Sequence, residues 1–286
     1  MFTVDFFTPV VDDAYHFGMI AAANAISDVY AMGGEPFLAL NVMGFPVNDV
    51  PAKVLSKILQ GAAEKAMEAN IIIGGGHSVK DPELKFGMCV LGFVDNKSII
   101  DNSRAKPGDR IFLTKPLGTG IITTAQKRTN KVPKSVMNEI INSMERLNGN
   151  VRNKLVRYGI KTATDITGFG LLGHMHEVAR ASGVNIDIYS SRVPLFTETC
   201  NYAKKGFVPG GTFSNYDYLS SEVEYDDDVP EYIRLIMCDA QTSGGMLIFC
   251  PPEKADKLVT LLKRDEICCE FIGQVMSTGS GKIKIK

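Results

Sequence analysis

Strand-like and helix-like segments alternate along nearly the whole chain, which limits it to folds with sheets packed under helices. Runs suited to strands fall at 3–7, 36–44, 71–74, 86–94, 110–114, 184–189, 245–250 and 268–275. Patterns suited to helices fall at 15–32, 51–69, 118–128, 133–157, 170–182 and 252–264. The first helix is typical: Met19, Ala22, Ala23, Ile26, Val29 and Tyr30 form an apolar stripe at helical spacing. The expected class is α/β (or α+β). At ~150 residues per domain, 286 residues suggest two domains. The polar stretch "NKSIIDNSRAKPGDR", with its Pro107-Gly108-Asp109 turn, marks the break. This gives an N-terminal α/β domain over 1–100 and a C-terminal one over 107–286. A second irregular region is expected from 205 to 230, where Asp226, Asp227 and Asp228 could bind a cation but read rather as a solvated loop before a helix starting near Pro230.

Net charge is -1, so no nucleic-acid partner and no anionic membrane is expected. No apolar run approaches the ~20 residues of a membrane span. Nor does a basic region precede an apolar one near residue 1, so the expectation is a cytoplasmic protein. The six cysteines, at 89, 200, 238, 250, 268 and 269, make no C-x-x-C pair. They read as reduced structural thiols, with no catalytic cysteine among them.

Three acids stand in apolar, glycine-flanked settings. Asp5 lies in the strand-like "TVDFF". Asp28 ends an apolar helix in "NAISDVYAMGG". Asp165 sits between a strand and a helix start in "TATDITGFGLLGH". A buried carboxylate needs a partner, and three such acids suggest a shared cation. Oxygen ligands suit magnesium, which commonly bridges protein carboxylates and substrate phosphates. Singly, Asp165 could instead cap the following helix, and Asp28 could bond amides of the Gly33-Gly34 turn. In "IIIGGGHSVK" a strand runs into Gly74-Gly75-Gly76, which alone reads more simply as a turn after the strand, but where backbone amides could approach an anion and His77 and Ser78 could donate to a phosphate. His174 and His176, two apart on a helix, point to different faces and make no joint metal site. Thr242-Ser243-Gly244-Gly245 reads as a tight turn rather than the anion contact it could also make.

Six stretches, spread over almost the whole chain, carry a resemblance: "TVDFFTPVVDDAYHFGMIAAANAISDVYAMGGEP", "GGGHSVKDPELKFGMCVLGFV", "LTKPLGTGIITTA", "TDITGFGLLGHMHEVARASGV", "GFVPGGT" and "CDAQTSGGMLI". In this set and order they resemble the selenophosphate synthetase (selenide, water dikinase) family. The resemblance implies a two-domain fold like that of aminoimidazole ribonucleotide synthetase. It implies a homodimer through the N-terminal domains, whose sheets form a shared barrel. The implied reaction consumes ATP, selenide and water and yields selenophosphate, AMP and orthophosphate, with magnesium and often potassium. Asp5 then matches an ATP-binding aspartate, Asp28 a ligand of both magnesium and ATP, and Asp165 a magnesium ligand. Gly76, His77 and Ser78 match a segment contacting ATP across the dimer.

The same resemblance implies a further N-terminal segment. It carries a cysteine or selenocysteine, a lysine, another metal-binding aspartate and the first strand. No catalytic residue is therefore assigned within 1–286, and the chain as given is expected to be incomplete for catalysis. Other expectations are a catalytically silent nucleotide-binding dimer of this family, or another ATP-using enzyme of the same fold.

Overall fold

The computed structural model describes residues 1–286 and divides into two compact units. Unit 1 comprises Met1–Ile99 and Ile141–Arg152; unit 2 comprises Ile100–Ile140 and Asn153–Lys286.

Unit 1 contains β1 (Phe2–Phe7), α1 (Ala14–Ala31), β2 (Glu35–Phe45), α2 (Ala52–Glu68), β3 (Ile72–Lys80) and β4 (Lys85–Phe93). Its sheet runs β1-β4-β2-β3, with only the β2–β3 pair parallel. α1 begins where the Asp13 carboxylate accepts from the amides of Tyr15 and His16, satisfying two of the donors a helix start leaves orphaned. Its apolar stripe lies against one sheet face, with Phe17 edge-on to both Phe7 and Phe86.

The opposite face is apolar and uncovered. Phe2, Leu91, Leu38 and Ile72 form one cross-strand row; Val4, Cys89, Leu40 and Gly75 form the next. Phe2 is 78% exposed, Val4 57%, Ile72 69% and Phe93 69%. A contiguous apolar patch of this kind marks an interaction surface.

Two expectations need correction. Gly74–Ser78 is not a loop after a short strand but the middle of β3, an exposed edge strand. The glycines serve close approach: Gly76 has φ +155°, and a Cβ there would lie 2.3 Å from the Asn41 carbonyl oxygen. A mild irregularity in the pairing with β2, between Ala39 and Leu40, accompanies them. The long helix expected over 133–157 is two helices, α4 (Lys134–Glu145) and α5 (Gly149–Arg157). The chain breaks because Asn148 reaches Ser27 Oγ at 2.9 Å, while Arg152 binds the Gly33 carbonyl at 2.8 Å and Glu35 at 3.0 Å.

In unit 2, α3 (Thr119–Thr129), α6 (Gly170–Ser182) and α10 (Pro252–Arg264) fall close to their expected positions. The seven-stranded sheet runs β6 (Thr162–Asp165), β9 (Met246–Cys250), β5 (Arg110–Leu113), β10 (Glu270–Thr278), β7 (Val184–Ile188), β11 (Ile283–Ile285) and β8 (Val223–Tyr225). Residues 205–230, which read as irregular, hold α8 (Gly210–Tyr218) as well as β8; α7 (Thr199–Lys204) precedes them, and α9 (Glu231–Met237) is the helix expected to start near Pro230. The core includes Ile111, Leu113, Leu171, Met175, Ile186, Leu247 and Ile272, all 0–1% exposed. No helix in either unit is long and apolar enough to cross a membrane.

Candidate nucleotide and metal site

In unit 1 the assigned acids are placed by the pairing of β1 with α1. Asn24 and Asp28 are one helical turn apart and share a face of α1. Alternate residues of β1 point to that face. Asn24 Nδ2 therefore donates to Asp5 Oδ2 at 2.9 Å, and Thr3 Oγ1 donates to Asp28 Oδ2 at 2.5 Å. Both carboxylates are half-exposed. The alternative reading of Asp28, as a partner of the Gly33-Gly34 amides, is not realised: those amides bond to the Tyr30 and Val29 carbonyls.

Asp5, Met88, Asn41 and Gly76 occupy one row across the four strands, on the α1 side. Asn41 Oδ1 is buried there without a hydrogen-bond partner. Three strand spacings of ~4.8 Å put Gly76 about 14 Å from Asp5 within one chain. His77 points to the uncovered apolar face, in the row of Phe6, Gly87 and Val42, and Ser78 to the opposite one. One chain thus does not bring Asp5 and Asp28 together with the His77 segment.

In unit 2, Asp165 is the last residue of β6 and 4% exposed, and its Oδ2 has no hydrogen-bond partner. It does not cap the next helix, because α6 starts five residues on with Phe169 as its cap. The loop between them is pinned. The Ile166 amide donates to the Gly245 carbonyl, the Gly244 amide to the Ile166 carbonyl, and the Thr167 amide to His174 Nε2 at 3.1 Å. His176 stands apart, 3.9 Å from Glu222 and against Tyr218, with burial depressing its pKa. Residues 241–245 form an irregular connection held by Lys115, whose Nζ donates to the Ser243 carbonyl at 2.8 Å.

Sequence reasoning missed the most buried acid, Asp239, which is 0% exposed. Its carboxylate accepts from Gln241 Nε2 at 2.8 Å, Thr212 Oγ1 at 3.1 Å and the Ile121 amide at 3.3 Å. Gln241 Oε1 in turn accepts from the amides of Gly118 and Thr119 and from Thr119 Oγ1, at 3.0–3.2 Å. The two side chains close the N-terminus of α3, where a negative charge is also favoured by the helix dipole. Gly120 is needed for this, since a Cβ there would lie 2.6 Å from Asp239 Oδ1. Burial pushes the Asp239 carboxyl up to about 7, against the pull of these hydrogen bonds. The signal was available: "MCDAQTSGG" is another acid in an apolar, glycine-flanked setting.

All six cysteines are free. Burial pushes the thiols of Cys238, Cys250 and Cys269 up to about 12, which makes them poor nucleophiles near neutrality.

Residues 1–94 match the family described as AIR synthase related protein, N-terminal domain, and residues 106–286 its C-terminal domain. A selenide, water dikinase of Carboxydothermus hydrogenoformans is 43% identical over 284 residues, covering 99% of this chain and 82% of that protein. One of Myxococcus xanthus is 45% identical over 281 residues, covering 98% and 79%.

The chain belongs to the selenide, water dikinase family.

Solved structures of more distant proteins share the fold of this family member. Thiamine-monophosphate kinase from Stenotrophomonas maltophilia superposes with a TM-score of 0.76 at 16% identity, covering 100% of this chain and 84% of that one. Hydrogenase maturation protein HypE in complex with ATP superposes at 0.72 and 18% identity, covering 99% and 80%. At such identities the likeness speaks for the fold alone; the dikinases, at more than twice the identity, are what separate this chain from those proteins.

Proposed function

We propose that this protein makes selenophosphate from ATP, selenide and water, releasing AMP and orthophosphate. The observation that carries the reading is the match to selenide, water dikinases over 98–99% of the chain. ATP and selenide are the substrates, and magnesium the resident ion, with potassium as a further requirement.

Asp28 and Asp165 are the proposed magnesium ligands. The donors suit that ion. Asp165 offers a buried carboxylate oxygen with no hydrogen-bond partner, and Asp28 a half-exposed one. Nowhere do three or more His, Cys, Asp or Glu side chains gather closely enough to hold a metal by themselves. Magnesium commonly takes one or two protein carboxylates and completes its shell with waters and substrate phosphates. When bound, it neutralises charge on the polyphosphate. Asp5 is positioned by Asn24 to accept from the nucleotide, and Asp28 serves ATP as well as metal. Gly76, His77 and Ser78 contact ATP from the partner of a homodimer. Two features support that last assignment: the ~14 Å separation of Gly76 from Asp5, and the uncovered apolar face that His77 shares.

Calorimetric titration with ATP, with and without magnesium, tests the ligands. Asp28→Asn and Asp165→Asn should each weaken magnesium-dependent ATP binding about tenfold or more, or ~1.4 kcal/mol. The magnesium-free titration should change much less. Unchanged affinity in both variants would remove the metal assignment.

A further inference from the structure

Unit 2 contains a cavity of ≈ 630 Å³ that the reading above does not use. It lies at the other end of the sheet from Asp165. Thr162, the first residue of β6, lines it, whereas Asp165 is the last, about 10 Å further along the strand. The neighbouring strands agree: Phe249, opposite Thr162 in β9, also lines the cavity, and so does Asp109, just before β5.

The lining is basic. Arg104, Lys106, Lys161 and Lys254 all contribute, against one acid, Asp109. That acid is itself turned inward: it is 6% exposed and accepts from the Lys106 amide at 2.9 Å. Arg104 pairs with Asp101 at 2.7 Å, and Lys254 Nζ donates to the Gly159 carbonyl at 3.1 Å, so both heads are held in place. Lys106 is exposed. Thr162 supplies the independent observation. It is 2% exposed, and its Oγ1 is buried with no hydrogen-bond partner. Buried hydroxyls are almost always satisfied, so one left open beside a basic cavity points to a missing acceptor. Lysine and arginine heads with hydroxyl donors are the chemistry that recognises phosphate oxygens. The volume lies in the range of small-molecule sites.

We propose that this cavity is a second anion site, separate from the Asp165 end of the sheet, that takes a phosphate-bearing small molecule. Thr162 and Lys106 donate to its phosphate oxygens, and Lys254, held by a neutral carbonyl, adds positive charge.

The test is calorimetric titration of the full chain with inorganic pyrophosphate. Because pyrophosphate also suits a nucleotide site, the titration is repeated with a saturating non-hydrolysable ATP analogue. The expected result is one saturable pyrophosphate site per chain that survives the analogue. Thr162→Val should weaken it at least tenfold without lowering the thermal midpoint, since the change removes an unpartnered buried hydroxyl at constant shape. Lys106→Ala, at an exposed position, should weaken it as well and provides the reading if the first variant folds poorly. Loss of all pyrophosphate binding under the analogue would overturn the proposal. So would native affinity in both variants.

Discussion

At the residue scale the informative atoms are carboxylates. The criterion of an acid in an apolar, glycine-flanked setting selected Asp5, Asp28 and Asp165, and the structure gives each a distinct environment. It applied equally to Asp239, whose role stayed hidden because its partners other than Gln241 are far off in sequence: Thr212, Ile121 and the start of α3. A side chain that closes a helix 118 residues away leaves no local spacing to read. Asp239 also carries a pH prediction. Its pKa rises on folding from the ordinary 3.8 to about 7, mainly through burial. Between those values the folded state holds more protons than the unfolded chain. The stability this group contributes is therefore full at the acid end, declines as pH rises through 4 to 7, and levels off above. The decline is at most ~1.4 kcal/mol per pH unit. Urea unfolding of native protein and Asp239→Asn across that window should show the slope difference. Parallel curves would mean that Asp239 is no different folded and unfolded.

At the element scale, legibility followed length and side-chain period. α1, α2 and α10 run 13 to 18 residues and carry enough turns for an apolar stripe to show. α7 and α8 have 6 and 9 residues, too few for a period to emerge, and α8 opens on Gly210-Gly211, whereas the equally short α9 is announced by Pro230 at its start. β3 was opaque for another reason: glycines have no side chains to alternate, so an edge strand looked like a loop. The sheet of unit 1 could be inferred, but not that one face would lie bare. On the proposed dimer, Val4→Lys places a charge on that face at a residue 57% exposed in the single chain. The variant should fold yet run as a monomer in light scattering. It should bind ATP about tenfold more weakly, because His77 of the partner is lost. A monomer that binds ATP as tightly as native protein would separate the nucleotide site from the apolar face.

At the scale of the whole molecule, fold and chemistry have different warrants. The fold is shared with thiamine-monophosphate kinase and HypE at 16–18% identity, and proteins with one fold do different chemistry. Membership in the selenide, water dikinase family rests instead on 43–45% identity along nearly the entire chain. The reaction is tested most directly by phosphorus NMR of this chain, preceded by the N-terminal segment that the family resemblance implies, with ATP, magnesium and selenide. Selenophosphate, AMP and orthophosphate should appear together in equal amounts, and only when selenide is present. ADP accumulating as the end product, or ATP consumption indifferent to selenide, would contradict the proposed reaction.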